Sequence, residues 1–233
     1  MMPLVKYRTH IPGMIARRTK VEVPGWGGQP EPRENGSHEY PWHCIPFTEA
    51  ARAGIELCTP FAGELRVSSR DGAPVFDYDG PGEPPPFRSF GAQYYTYQVL
   101  ADFKVEAEYA IKVETHPRFY TDATGTVPIA VPAILRHWWP MIYFVVFKTP
   151  GSGEVHVFRP GEPFLTVSIV PADDKLDLVP MPEEEAAERE LQSRRIYAAR
   201  ATLSSDSQWL SATDTVFDGT YRRLFGAAKS GRT

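Results

Sequence analysis

The stretch FKVEAEYAIKVE, residues 103–114, decides the architecture. Its odd positions are Phe103, Val105, Ala107, Tyr109, Ile111 and Val113, and its even positions are Lys104, Glu106, Glu108, Ala110, Lys112 and Glu114. Successive side chains of a β-strand point to opposite faces, so a repeat of two gives one apolar face and one wet face. Wound at about 3.6 residues per turn, the same residues would put charge all round a helix. The spacing predicts a single half-solvated strand over 103–114, as in an antiparallel sheet with one face in water.

Further along the chain, MIYFVVF at 141–147 is apolar on both faces, which predicts a central strand buried on both sides, closed by GSG at 151–153. VHVF at 155–158 places His156 with Phe158, opposite Val155 and Val157, and FLTVSIV at 164–170 is a strand stopped by Pro171. The short turns between these three predict an antiparallel meander. Upstream, GELRVSS and VFDYD alternate around Asp71-Gly72, the signal of a tight hairpin turn. IELC at 55–58 reads as a strand behind a short helix over 49–53, capped by Thr48 and ended by Gly54.

Composition agrees with a sheet protein. Among 233 residues there are 23 prolines and 18 glycines, too many breakers for a helical bundle. Hydrophobic content of 42% with 23% charged is that of an ordinary globular chain able to bury a core. A net charge of −4 gives no general attraction to phosphate backbones, and Arg17, Arg18 and Lys20 are too few to make a nucleic-acid surface. No apolar run approaches membrane length and no secretory leader is visible, so no membrane span is expected. With Cys44 and Cys58 as the only cysteines, a reducing cytoplasmic setting is expected.

Three regions follow. Residues 1–41 hold Pro3, Pro12, Pro24, Pro30, Pro32 and Pro41, the GWGG around Trp26 and only one strand-like run, KVEV at 20–23. Such a segment builds no core of its own and reads as an extended Pro/Gly-rich arm. Residues 42–175 form the β body. Residues 176–233 form a C-terminal helical segment and tail. Its first helix, 183–203, has acids in its first turn and a thin stripe of Ala187, Leu191, Ala198 and Leu203. A second, 214–225, sets Phe217, Tyr221, Leu224 and Phe225 on one face. The expected fold is mainly β: an antiparallel sandwich or β-roll of about seven to nine strands, with an extended N-terminal arm and two C-terminal helices.

For chemistry, the histidines are the natural starting point. His43 and Cys44 with Cys58 offer zinc ligands, but a structural zinc site usually shows two close pairs and the second is missing, so no metal and no other cofactor is expected. No nucleophile elbow, phosphate loop or dinucleotide fingerprint occurs. His116 opens the loop HPRFYTDATG and His137 closes the segment before MIYFVVF, so the two are expected to meet at one end of the sheet, near Arg118, Asp122 and Arg136, with Tyr120, Trp138 and Trp139 lining a pocket. Pro140 lacks an amide donor, so HWWP at 137–140 is expected to be extended, with one tryptophan capping the core and its neighbour nearer solvent.

The order HWWPMIYFVVFKTPGSGEVHVFRPGEPFLTVSIVP at 137–171, preceded by YPWHCIPFTEAARAGIELCTPF at 40–61, resembles an uncharacterised bacterial family of unknown function that pairs a W-x-C-x-P opening with an F-x-x-G-E-P close. The likeness spans about 40–175 and the aromatic C-terminal segment, and it implies no activity. VFRPGEPFLTVSIVP at 157–171 is also similar to the strand-turn-strand of trimeric dUTPase-like β-rolls, whose turn reads G-D-R-x-A-Q-L. Where that family has Asp, Arg and Gln this chain has Glu162, Pro163 and Thr166, and the family's serine motif and glycine-rich aromatic arm are absent. That likeness implies a β-roll architecture without nucleotide hydrolysis. The resulting expectation is a non-catalytic binding or assembly protein whose partners are protein subunits, contacted through Trp26 and the arm and through Phe217, Tyr221 and Phe225. The alternative is a small-molecule-binding protein or enzyme with a pocket at His116, Tyr120, Arg136, His137, Trp138 and Trp139.

Overall fold

In the computed structural model of the chain, the described residues are 4–11, 13–19, 45–91, 93–121, 127–139, 143–173, 175–200, 208–210 and 216–218. Trp26, Tyr221, Leu224 and Phe225, the KVEV run, His43, Cys44 and Asp122 lie outside them. The chain divides into two units, Met1–Glu31 with Glu49–Asp174, and Pro32–Thr48 with Lys175–Thr233.

The first unit is a mainly-β, antiparallel sandwich. Its strands are β1 (Lys6–Thr9), β2 (Ala16–Arg18), β3 (Ile55–Cys58), β4 (Glu64–Arg70), β5 (Ala73–Asp79), β6 (Phe87–Ser89), β7 (Tyr94–Gln98), β8 (Ala101–Lys104), β9 (Tyr109–Thr115), β10 (Ala133–Arg136), β11 (Phe144–Lys148), β12 (His156–Phe158) and β13 (Pro163–Pro171). Five strands make one sheet in the order β10-β9-β13-β3-β2, while β11-β7-β6 and β12-β4-β5 make two three-stranded sheets and β1 pairs β8. An aromatic slab fills the space between layers. Phe87 of β6 lies 4.7 Å from Tyr97 and 5.0 Å from Phe158, Tyr95 stacks on Phe147 at 5.1 Å, and Tyr97 meets Phe164 of β13 edge-on at 5.3 Å. Rings in these tilted geometries add to the area they bury.

The hairpin read from Asp71-Gly72 is present. Both residues have positive φ, 52° and 78°, which makes a type I′ turn whose twist suits its strands, and β4 and β5 stay in register over all seven pairs from Glu64↔Asp79 to Arg70↔Ala73. The IELC strand, the strand stopped by Pro171 and the placing of His156 beside Phe158 on the buried face also hold.

Other expectations are corrected. The run 103–114 is not one strand: β8 and β9 are separated by a turn in which the Tyr109 N–H donates to the Glu106 carbonyl at 3.0 Å. The alternation survives on each side, with Phe103, Val105, Ile111 and Val113 buried, because the turn preserves the parity and is invisible to a two-residue repeat. The meander is likewise absent, since β11 pairs β7, β12 pairs β4 and β13 lies between β9 and β3. Periodicity reports which face is buried, not which strand supplies the ladder. Gly153 and Gly161, both at positive φ, turn the chain from one sheet to the next. β11 is therefore a terminal strand with Phe144 exposed and Tyr143, Val145 and Phe147 buried, rather than a strand covered on both faces.

The first helix, α1 (Ile45–Arg52), starts ahead of Thr48, which sits within it rather than at its cap. Gly54 ends it as read, with φ of 88°, and a Cβ there would lie 2.5 Å from the Val167 carbonyl oxygen. The described part of the N-terminal arm is strand: β1 and β2 join sheets of their own chain.

In the second unit, α2 (Glu183–Arg200) confirms the first C-terminal helix, and from 183 to 195 it is exposed apart from a half-buried Gln192. The second helix is corrected. Over the described residues, Gln208–Leu210 (β14) and Val216–Asp218 (β15) pair antiparallel with Trp209 opposite Phe217, so Phe217 stands in a strand, while 214–215 and 219–225 of the expected helix lie outside the described residues. Trp209, Val216 and Phe217 have high strand propensity, and cross-strand pairing overrides the helical spacing of the aromatics.

Candidate functional site

Two regions of the first unit carry the residues of interest, one buried and polar, the other exposed and apolar. The buried region starts at Glu56, in the middle of β3 and only 1% exposed. A carboxylate so deep is sustained only by charged or hydrogen-bonding partners. The β2–β3 register sets Arg17 directly opposite, and its Nε donates to Oε1 of Glu56. The second carboxylate oxygen faces Nε2 of His116 at 3.4 Å. On the other side of that ring, Nδ1 accepts the backbone N–H of Arg118 at 3.2 Å, which leaves the ring proton on Nε2, toward the carboxylate.

His116 is buried just past the end of β9, where a short 3-10 turn, Pro117–Thr121, begins. Burial pushes its pKa down to about 4. Glu56 opposes that shift, while Arg118 and Arg17 add to it. The ring is neutral at neutral pH, with one nitrogen on a backbone amide and the other against Glu56. That arrangement commits Nδ1 to a backbone amide and encloses Nε2 beside Glu56 without a close hydrogen bond. The network continues outward: Arg118 Nη1 donates to Glu162 at 2.6 Å, Arg159 contacts Glu162 at 3.8 Å and Glu64 at 3.1 Å, and Arg66 closes on Glu64 at 2.7 Å. The turn that carries Arg159 and Glu162 is pinned to Thr59, whose N–H donates to the Glu162 carbonyl and whose carbonyl accepts the Gly161 N–H, each at 2.9 Å. The five-stranded sheet is thus tied to β4 by alternating charge.

A second buried histidine, His156, pairs with Tyr95. The tyrosine hydroxyl and Nδ1 share a hydrogen bond of 2.7 Å, burial lowers the imidazole pKa to about 4, and burial raises the phenol well above its ordinary value. The alternation in VHVF announces that His156 faces inward. Nothing local announces Tyr95, which comes from a strand 61 residues earlier.

His116 and His137 do not meet, contrary to the sequence expectation. β10 runs antiparallel to β9 with Ala133 opposite Val113 and Arg136 opposite Ala110. His137 therefore lies beyond one end of β9 and His116 beyond the other, about 20 Å apart at the usual strand rise. Between the loop that His116 opens and the turn at His137, residues 133–136 form a return strand that carries the chain to the far end. Arg136 instead approaches Asp173, just past β13, at 3.5 Å. The backbone of Tyr120 stays with His116 in the 3-10 turn.

The exposed region begins at that far end. Trp138 is 64% exposed and Trp139 46%, with ring centroids 6.1 Å apart and planes tilted by 45°. Neither caps the core, because the Trp139 N–H donates to the Arg136 carbonyl at 2.8 Å and makes residues 136–139 a turn rather than an extended segment. Ile129, Val131 and Ile134 are exposed as well. The stretch includes β10, which is terminal in the five-stranded sheet.

Fold and site together define an antiparallel β-sandwich with a braced polar interior and an apolar sheet edge. No protein-family model matches the chain, and no curated protein matches it. Among the described residues, no helix is long and apolar enough to cross a membrane and no group of three or more His, Cys, Asp or Glu could hold a metal ion. Cys58 is fully buried in β3.

Proposed function

We propose that this is a non-catalytic binding protein of the cytoplasm whose contact surface for another polypeptide is the edge at residues 129–139. The observation that carries this reading is the pair of adjacent, solvent-facing tryptophans next to a terminal strand. Large aromatic side chains left in water forgo the burial that stabilises a core, and they are enriched where proteins meet. Terminal β10 adds an open backbone margin that an extended segment can complete, whereas just upstream Ala130 already bridges Phe147 and the Val131 N–H donates to the Val146 carbonyl at 2.8 Å. The buried histidines support the reading from the other direction, since His116 and the Tyr95-bound His156 are committed to internal contacts.

The test is the double variant W138S/W139S in the full chain. If the rings serve contact, its melting temperature and near-native circular dichroism stay those of the wild type while polypeptide binding is lost. A fall of many degrees in Tm would make the rings part of the core and remove the proposal.

A further inference from the structure

A second apolar element stands exposed in the other unit. Residues 175–182, KLDLVPMP, connect the sandwich strand β13 to α2 without helix or strand of their own, and Leu176, Leu178 and Val179 are each at least 74% exposed. Leu178, at 90%, is the most exposed large apolar side chain among the described residues. An apolar peptide and an apolar sheet edge on one chain, both uncovered, are complementary surfaces.

Backbone chemistry restricts how such a peptide could pair. In a strand the N–H and C=O of one residue point to the same side, and the next residue's to the other. Pro180 and Pro182 fall on even positions, so the even side keeps only the Leu176 and Leu178 donors, while Lys175, Asp177, Val179 and Met181 on the odd side all keep theirs. The segment therefore offers one competent hydrogen-bonding edge and one blunted edge, which lets it add to a terminal strand without recruiting a further one. Charge also matches. Ile134 of β10 lies opposite Lys112 of β9, and Arg136 follows it; both cationic side chains are about two-fifths exposed although Glu114 and Asp173 already contact them. The incoming segment carries Asp177 and runs into Glu183, Glu184 and Glu185.

We infer that the occupant of the 129–139 edge is residues 176–181 of a second copy of this chain, each copy giving its segment to the other in a closed dimer. The inference rests on the binding surface proposed above and names its partner. A reciprocal exchange uses both surfaces of both copies and so ends at two, whereas a one-way contact would propagate.

Sedimentation equilibrium on the full chain tests it. The wild type should reach twice the 26.2 kDa chain mass at micromolar concentration and dissociate more readily as salt rises. L178D/V179D, altered where the side chains are exposed, and W138S/W139S should each weaken association at least tenfold, and mixing the two variants should restore part of it, because one intact segment then meets one intact edge. A wild type that stays monomeric up to about 100 µM overturns the dimer but leaves the edge available to another polypeptide, provided W138S/W139S is thermally silent. Association that neither variant weakens overturns the dimer too. A W138S/W139S variant that unfolds many degrees before the wild type at concentrations where neither associates sinks the surface and the dimer together.

Discussion

The network around Glu56 and the edge around Trp138 use costly residues in opposite ways. In the first, charge is buried and every partner is supplied from within: Arg17 from β2, His116 and Arg118 from the end of β9, and Glu162 from the turn before β13. In the second, apolar area is exposed and the described residues leave it uncovered. The titratable cluster is braced by its own ion pairs, with His116 Nε2 facing Glu56 without a close hydrogen bond, while the tryptophan edge is left open by the described residues. Sequence attention goes naturally to histidines. Here His116 and His156 are enclosed and the two tryptophans are exposed.

That contrast can be broken by mutation. The largest effect is expected from Glu56→Ala, which strands Arg17 and removes the carboxylate facing His116; loss of one partner of a buried pair costs roughly 3–5 kcal/mol. Urea unfolding monitored by intrinsic fluorescence reads it, and a change under about 1 kcal/mol would mean the network is not a brace. Next comes Tyr95→Phe, which leaves the buried Nδ1 of His156 without its hydrogen-bond partner, at about 1–3 kcal/mol in the same assay. A third test is pH. Both buried imidazoles have folded pKa values of about 4, below the ordinary 6.5, so the unfolded chain binds protons first as pH falls. Their stabilising effect is complete above about pH 6.5 and is lost progressively toward pH 4. Unfolding midpoints at pH 7.5, 5.5 and 4.5 should decline, and His156→Phe should flatten part of that slope; a flat profile contradicts the buried, neutral assignment. The smallest effect belongs to the edge, where W138S/W139S should change stability by no more than about 0.5 kcal/mol per ring.

Much of the fold is legible in the sequence, and its gaps share a cause. Asp71-Gly72 specifies its hairpin because the information is local, two residues that accept positive φ between alternating runs. IELC and the strand ended by Pro171 are legible for the same reason. The break at 105–108 is not, because a turn that preserves parity leaves the two-residue pattern untouched. Nor is the dispersal of β11, β12 and β13 into three sheets, since a strand's neighbours are chosen by contacts made tens of residues away. The site divides likewise. The inward aim of His156 follows from alternation, but the exposure of both tryptophans depends on a turn at 136–139, and the separation of His116 from His137 depends on four residues, Ala133 to Arg136, turning back as a strand. Glu56 carries a local signal of its own, since an acid among Ile55, Leu57 and Cys58 needs a partner.

The position of β13 has a consequence for how the molecule is made. It lies between β9 and β3 and pairs with both, seven positions with β9 alone, yet it is the last strand of the sandwich to leave the ribosome. Until residues 163–171 emerge, the nascent chain carries two open sheet margins side by side, and contacts across such long separations close slowly. Synthesis stalled before Pro163 would release a sticky half-sheet rather than a smaller sandwich, so β13 acts as the keystone that commits the chain to its native state.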